Sequence, residues 1–153
     1  DPLAEQLLAV MVGNVNATTR DVLAQILADG IASGQTIAQM QARIQAAANF
    51  APSRALLVAR TETTRSTNAG ASHAWQIAAG EGGMSIQREW LSSRDSEVRD
   101  AHRVLDGQTV ELGGVFVIPT GEYAGKKASG PGDFDHPALV CNCRCTVLPK
   151  VTK

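Results

Sequence analysis

The chain is 153 residues long, with 14 basic against 15 acidic side chains, a net charge of −1 and 44% hydrophobic residues. That balance excludes nucleic-acid binding driven by bulk positive charge. With no signal-like segment and no apolar run of about 18 residues, there is no case for export or for a membrane span. The length suits one domain, or one domain with an appended helical arm, and buries enough surface to fold without disulfides. The aromatic residues are Phe50, Trp75, Trp90, Phe116, Tyr123 and Phe134, so the core leans on Ala, Val, Leu and Ile. The chain opens at Asp1 without a methionine, as a processed chain or a segment of a longer product does.

Residues 1–12 predict a first helix, with Asp1 as cap, Pro2 in the first turn and Gly13 at the end. Over 20–33, Val22, Leu23, Ile26, Leu27 and Ile31 recur at helical spacing, after Thr18 or Thr19 as N-cap. Thr36 caps a third helix whose apolar stripe is Ile37, Met40, Ile44 and Ala47. Together these make an N-terminal helical arm over 1–50, and the main domain is expected over 53–150. It opens with a long helix, 53–79, capped by Ser53 behind Pro52. Leu56, Ala59, Thr63 and Ala78 are placed to face a partner, and a middle rich in Thr, Ser, Asn and Gly indicates close packing. Arg60 and Glu62 interrupt that face, either as a solvated pair or as a buried ion pair anchoring the helix to the C-terminal sheet.

The glycines of 80–83 break the helix, and a β-rich part follows over 84–150. A strand over 84–93 puts Ile86, Arg88 and Trp90 on one face. A short helix runs from Asp95 or Ser96 to about Leu105 and is closed by Gly107. Strands at 110–112 and 115–118 flank a two-residue hairpin turn at Gly113-Gly114. Residues 120–137 read as a loop rich in Gly and Pro, and 140–148 as the final strand. No internal repeat is present. The fold class is α+β: N-terminal helices and a long helix, then a small antiparallel sheet with a short helix.

All three cysteines, Cys141, Cys143 and Cys145, alternate in the final segment, where an extended strand puts them on one face. Positions two apart on a strand lie near the upper limit for a disulfide, which favours free thiols or metal ligands and a reducing compartment. Thiolate and imidazole are zinc donors. Cys143, Cys145 and His102 supply three, with Cys141, His136 or Asp106 as the fourth, although the spacing is not the C-x2-C of zinc ribbons. The plain alternative is a thiol-lined face buried in a small core. His102 also stands one turn before Asp106, in hydrogen-bonding register. A Cys with a His raises nucleophilic catalysis, but three thiols are more than a nucleophile needs and no oxyanion-hole motif accompanies them. His73, on the long helix, has no convergent partner. Arg144 faces the other side of the strand, placed to fork onto a carboxylate such as Glu62 or Asp106, or to bind phosphate. No P-loop, GxSxG, HExxH or GxGxxG frame is present.

The ordered set A-R-T-E-T (59–63), W-L-S-S-R-D (90–95), V-R-D-A-H-R-V-L-D-G (98–107), F-V-I-P (116–119), P-G-D (131–133) and N-C-R-C (142–145) resembles the phage Mu F-like head morphogenesis family, the minor capsid proteins. The match covers 53–149. The resemblance implies a non-enzymatic virion component of a tailed phage, in the head interior or at the portal vertex, assembled in the bacterial cytoplasm. It implies the portal protein and other head proteins as partners, and a part in head assembly and in the fate of packaged or ejected DNA. It implies no membrane and no small-molecule substrate. The family's His falls on His102, its Asp-Gly on Asp106-Gly107, its Arg-Thr-Glu on 60–62 and its paired cysteines on Cys143 and Cys145. Cys141 stands just before the matched motif, where an aliphatic residue is more usual, so the resemblance points to His102, Cys143 and Cys145 as the metal set and to zinc as the ion. Two enzymes are the alternatives. One is an ADP-ribosyltransferase-like toxin module, because such domains can be fused to toxins and Arg60, Ser66-Thr67 and Glu81 follow the order Arg, Ser-Thr, Glu; here they fall in one helical pattern and its exit loop rather than on separate strands. The other is a metal-dependent hydrolase using His102 and the thiols.

Overall fold

The computed structural model describes residues 17–152, so the helix expected over 1–12 lies outside the described residues. The chain divides into two compact units, Asp1–Thr63 and Thr64–Lys153. In the first, α1 (Ala17–Ala32) starts ahead of the two threonines expected to cap it, which lie in its first turn. α2 (Ile37–Ala48) is capped by Thr36 as expected. Thr36 Oγ1 accepts from the Gln39 amide at 3.3 Å, and the Thr36 amide donates to Gln39 Oε1 at 2.8 Å, a reciprocal capping box. Asn49 ends the helix in the left-handed region, φ 51. The core combines Leu23, Ile26 and Leu27 with Met40 and Ile44 and with Ala55, Val58 and Ala59 of α3 (Pro52–Gly82). On each helix these residues lie on one stripe. Gly30 permits the close approach of α1 and α2: a Cβ there would stand 2.6 Å from Met40 Sδ. Two stripe assignments shift. Ala48 rather than Ala47 packs inward on α2, and on α3 Ala55, Val58 and Ala59 are buried while Leu56 is half-buried and Ala78 exposed.

α3 runs through the glycines expected to break it and stops at Gly83, φ +62. In the second unit, β1 (Ser85–Leu91) is the centre of a three-stranded antiparallel sheet of order β2-β1-β5, with β2 (Thr109–Glu111) and β5 (Thr146–Thr152) as its edges. Trp90 stands opposite Val147, and Arg88 opposite both Val110 and Pro149. Ile86, Arg88 and Trp90 are the buried face, as the alternation predicts. The helix expected from 95 shrinks to α4 (Asp100–Arg103), because the Asp95 carboxylate folds the preceding residues into a turn by accepting the Glu97 amide at 3.0 Å.

The expected hairpin at Gly113-Gly114 is not a strand pair. β2 pairs with β1, whereas β3 (Phe116–Val117) pairs with β4 (Lys127–Ala128), inside the segment read as loop. The turn itself forms, with the Gly114 amide on the Glu111 carbonyl at 2.9 Å. Beyond it the Gln108 side chain takes the ladder's place, accepting from the Val117 amide at 3.0 Å and donating to its carbonyl at 3.1 Å. The expected final strand is also corrected. Pro137 opens a short helix, α5 (Pro137–Val140), Asn142 turns the chain at φ 56, and the strand starts only at Thr146. Trp90, Leu105, Phe116, Ile118 and Leu139 are wholly buried, with Trp90 edge-on to Phe116 at 5.2 Å. The architecture is α+β, helices first and then the small antiparallel sheet. Among the described residues no helix is long and apolar enough to cross a membrane.

Candidate metal centre

His102 projects from α4, while Cys143 and Cys145 leave the turn that precedes β5. All three are buried, with 2%, 1% and 4% of their surface exposed. His102 Nδ1 lies 3.6 Å from Cys143 Sγ and 3.5 Å from Cys145 Sγ, and the three ligand atoms lie within 4.8 Å of one another. The imidazole stacks on Phe134, centroids 5.9 Å apart, and meets the Trp90 ring edge-on at 5.5 Å. Its Nε2 is buried and has no hydrogen-bond partner among the described residues, so ring packing orients the imidazole rather than an acceptor behind it.

The two sulfurs are unlike. A hydrogen bond from the Cys145 thiol, with the His102 imidazole beside it, overrides burial and pulls the Cys143 thiol down to about 5. The same contact with Cys143, together with burial, pushes Cys145 up. A thiol drawn down in this way is poised to give up its proton to a metal ion, since thiolate is the form that ligates. Zinc bound tetrahedrally, with Zn–N of about 2.05 Å and Zn–S of about 2.3 Å, puts its N and S ligands roughly 3.6 Å apart. The nitrogen–sulfur distances match that spacing. The cluster could hold a metal ion, and its donor set suits zinc.

None of the three residues considered as a fourth ligand joins the cluster. Cys141 is half-buried and outside it. The His136 imidazole accepts the Ala138 amide at 3.3 Å as the cap of α5 and packs on Tyr123. Asp106 does not bond His102, because α4 ends at Arg103 and the helical register is lost. Its Oδ1 accepts the Ser92 amide at 2.8 Å and its Oδ2 the Arg94 Nε at 3.0 Å, and the Ser92 bond leads in holding its carboxyl below the usual range. Arg144 forks onto neither Glu62 nor Asp106 but onto Asp95, at 2.7 and 2.9 Å. Glu62 is buried and Arg60 half-buried. His73 is exposed.

Three contacts around the cluster were not legible in sequence. Thr64 and Asn68 of α3 donate to the backbone carbonyls of Cys143 and Cys145. Arg99 donates to the carbonyl of Cys141. Arg88 was placed on the correct face of β1, but its burial to 3% exposure was not foreseen. Its guanidinium donates to the carbonyls of Ser129 and Gly114, both at 2.5 Å, and lies over the Phe116 ring. The small-residue run of α3 was the one available signal for Thr64 and Asn68.

The family model described as phage Mu protein F like protein matches residues 21–148, a span that takes in the whole cluster. The chain belongs to the phage Mu protein F-like family. Two curated relatives are similar to this Mu F-like chain. One is an NAD(+)–arginine ADP-ribosyltransferase of Enterococcus faecalis, 31% identical over 136 residues, which cover 86% of this chain and 27% of the relative. The other is minor head protein GP7 of Bacillus phage SPP1, 28% identical over 126 residues, which cover 82% of this chain and 39% of the relative. The Mu F-like chain therefore spans well under half the length of either. No solved structure gives a significant match.

Proposed function

We propose that this chain is a non-enzymatic structural domain of a tailed-phage minor head protein, acting at or near the portal vertex during head assembly. The observation that carries the reading is the family match over 21–148, and the similarity to a phage minor head protein points the same way. The portal protein and other head proteins are its partners, packaged or ejected DNA is within its reach, and neither a membrane nor a small-molecule substrate enters. The division into an arm over 1–50 and a main domain over 53–150 belongs to the same reading. In that domain His102, Cys143 and Cys145 hold zinc as a structural ion, fastening the turn before β5 to α4. Burial of the ligands among aromatic rings is what favours a structural ion, because three protein ligands by themselves leave the fourth position of a tetrahedral zinc open.

The relative named as an ADP-ribosyltransferase raises the enzyme alternative. Against it, Ser66-Thr67 and Glu81 lie along one helix, α3, not on separate strands. Some 15 residues of helix separate Ser66 from Glu81 by roughly 22 Å, so they do not converge on one ligand. Mass spectrometry of purified procapsids and mature heads of the encoding phage is expected to find the chain in both. Its absence from both overturns the structural reading, and transfer of label from NAD to arginine by the purified chain replaces it with the enzymatic one.

A further inference from the structure

The cysteine turn is held from behind by the long helix. Thr64 Oγ1 donates to the Cys143 carbonyl at 2.8 Å, and Asn68 Nδ2 donates to the Cys145 carbonyl at 3.2 Å. Residues four apart share a helix face and rise about 6 Å along it, while residues two apart in extended chain advance about 6.6 Å. The two donors of α3 thus meet two successive carbonyls on one side of the segment that carries both thiols. The Asn68 amide is fully used. Its Nδ2 also donates to the Thr64 carbonyl at 2.8 Å, and its Oδ1 accepts the Val147 amide at 2.9 Å and the Thr146 hydroxyl at 3.1 Å. Both donors and both lone pairs are taken, so the buried amide has one orientation.

We propose that Thr64 and Asn68 are positioning residues for the metal: by fixing the Cys143 and Cys145 backbones, they hold both sulfurs at ligand distance from His102 before an ion arrives. The inference rests on the zinc reading given above. Neither residue touches the ion; each acts through the carbonyl of a ligand. A site organised in advance spends none of its binding energy on ordering the turn.

The test measures Zn2+ affinity by competition with a chromophoric chelator, and thiolate ligation from the charge-transfer absorption of the Co2+-loaded protein. Thr64→Val keeps the side-chain shape and removes only the donor. Asn68→Asp keeps the acceptor for Val147 but turns a carboxylate oxygen toward the carbonyls of Thr64 and Cys145. Gln108→Ala is the control, since it removes the side-chain bonds to Val117 and leaves the cysteine turn untouched. Thr64→Val and Asn68→Asp are expected to lose about tenfold or more in Zn2+ affinity and to alter the Co2+ spectrum, while Thr64→Ser and Gln108→Ala stay within about twofold of the wild type. If Asn68→Asp does not fold, the Thr64 pair decides alone, because Thr64→Ser restores the hydroxyl. Unchanged affinity in Thr64→Val overturns the inference, as does an equal loss in Gln108→Ala, which would tie affinity to fold stability in general. A wild-type chain that binds no Zn2+ overturns the zinc reading itself.

Discussion

Burial beside His102 sets two of the three cysteines apart. The Cys145 thiol and the His102 ring draw the Cys143 thiol down, while the same contact with Cys143 and burial push Cys145 up. Cys141 lies outside the cluster and half-exposed. Serine in place of Cys143 or Cys145 removes a ligand and leaves a hydroxyl among apolar rings, a loss of about 2–3 kcal/mol. Cys141→Ser changes a group near the surface and is expected to cost within about 0.5 kcal/mol. Melting curves of the zinc-loaded proteins should therefore rank the first two well below the third, and equal melting temperatures for all three would refute the ranking. The trio itself was legible before the fold was known, through the resemblance and the donor chemistry. Its geometry was not. Alternation in sequence suggested a strand face carrying all three thiols, but the left-handed Asn142 separates Cys141 from the other two. The partners of Arg144 and Asp106 were equally out of reach: Arg144 chooses Asp95, 49 positions away, a pairing no local rule selects.

Two of the motifs that carried the resemblance have a physical cause at the level of elements. In Asp106-Gly107, the Gly107 amide donates to the Trp90 carbonyl at 2.8 Å and the Asp106 carboxylate takes the Ser92 amide, so the pair ties the chain to the end of β1. In Pro131-Gly132-Asp133, the aspartate accepts the Ser129 amide at 2.9 Å and its hydroxyl at 2.6 Å, and Gly132 passes α3 at φ +90. A Cβ at Gly132 would stand 3.0 Å from the Arg65 Cα, a backbone atom that cannot swing aside. Gly132→Ala thus meets both a disfavoured dihedral and a helix backbone. A destabilisation of roughly 1–3 kcal/mol is expected in urea titrations. Gly83→Ala is the comparison, because that residue also has positive φ but nothing within 4 Å of the added carbon. If both variants lose the same amount, the dihedral alone accounts for the effect and the contact with α3 contributes nothing. The outer edge of β5 is blunted in a related way. Trp90 directs its own amide and carbonyl toward β2, so the opposing Val147 presents its polar groups outward, where Asn68 takes the amide; two residues on, Pro149 has no amide to offer.

At the scale of the whole chain, helix periodicity located α1, α2 and α3, and a two-residue period located β1, because each signal is local and repeats several times. What failed was the assembly of the short β elements. Three-residue and two-residue strands carry too little pattern to name their partners, and side chains such as Gln108 and Asn68 stand in for backbone ladders. The chain also splits into two compact units within one uninterrupted helix, which no composition change announces. That division gives the zinc reading a consequence wider than the site. All three ligands lie in the unit Thr64–Lys153, whereas the apolar core of Leu23, Met40, Ile44 and Val58 lies in Asp1–Thr63 and contains no ligand. Removing the ion withdraws a crosslink between α4 and the turn leading into β5, so the free energy of opening should fall first for the amides that follow that turn. In hydrogen exchange with and without a chelator, amides of β1 and β5 are expected to exchange at least about tenfold faster once the metal is gone, while those of α1 and α2 keep their protection. Uniform acceleration across both units would mean that they unfold as one, and unchanged exchange in β5 would mean that no structural ion holds the turn.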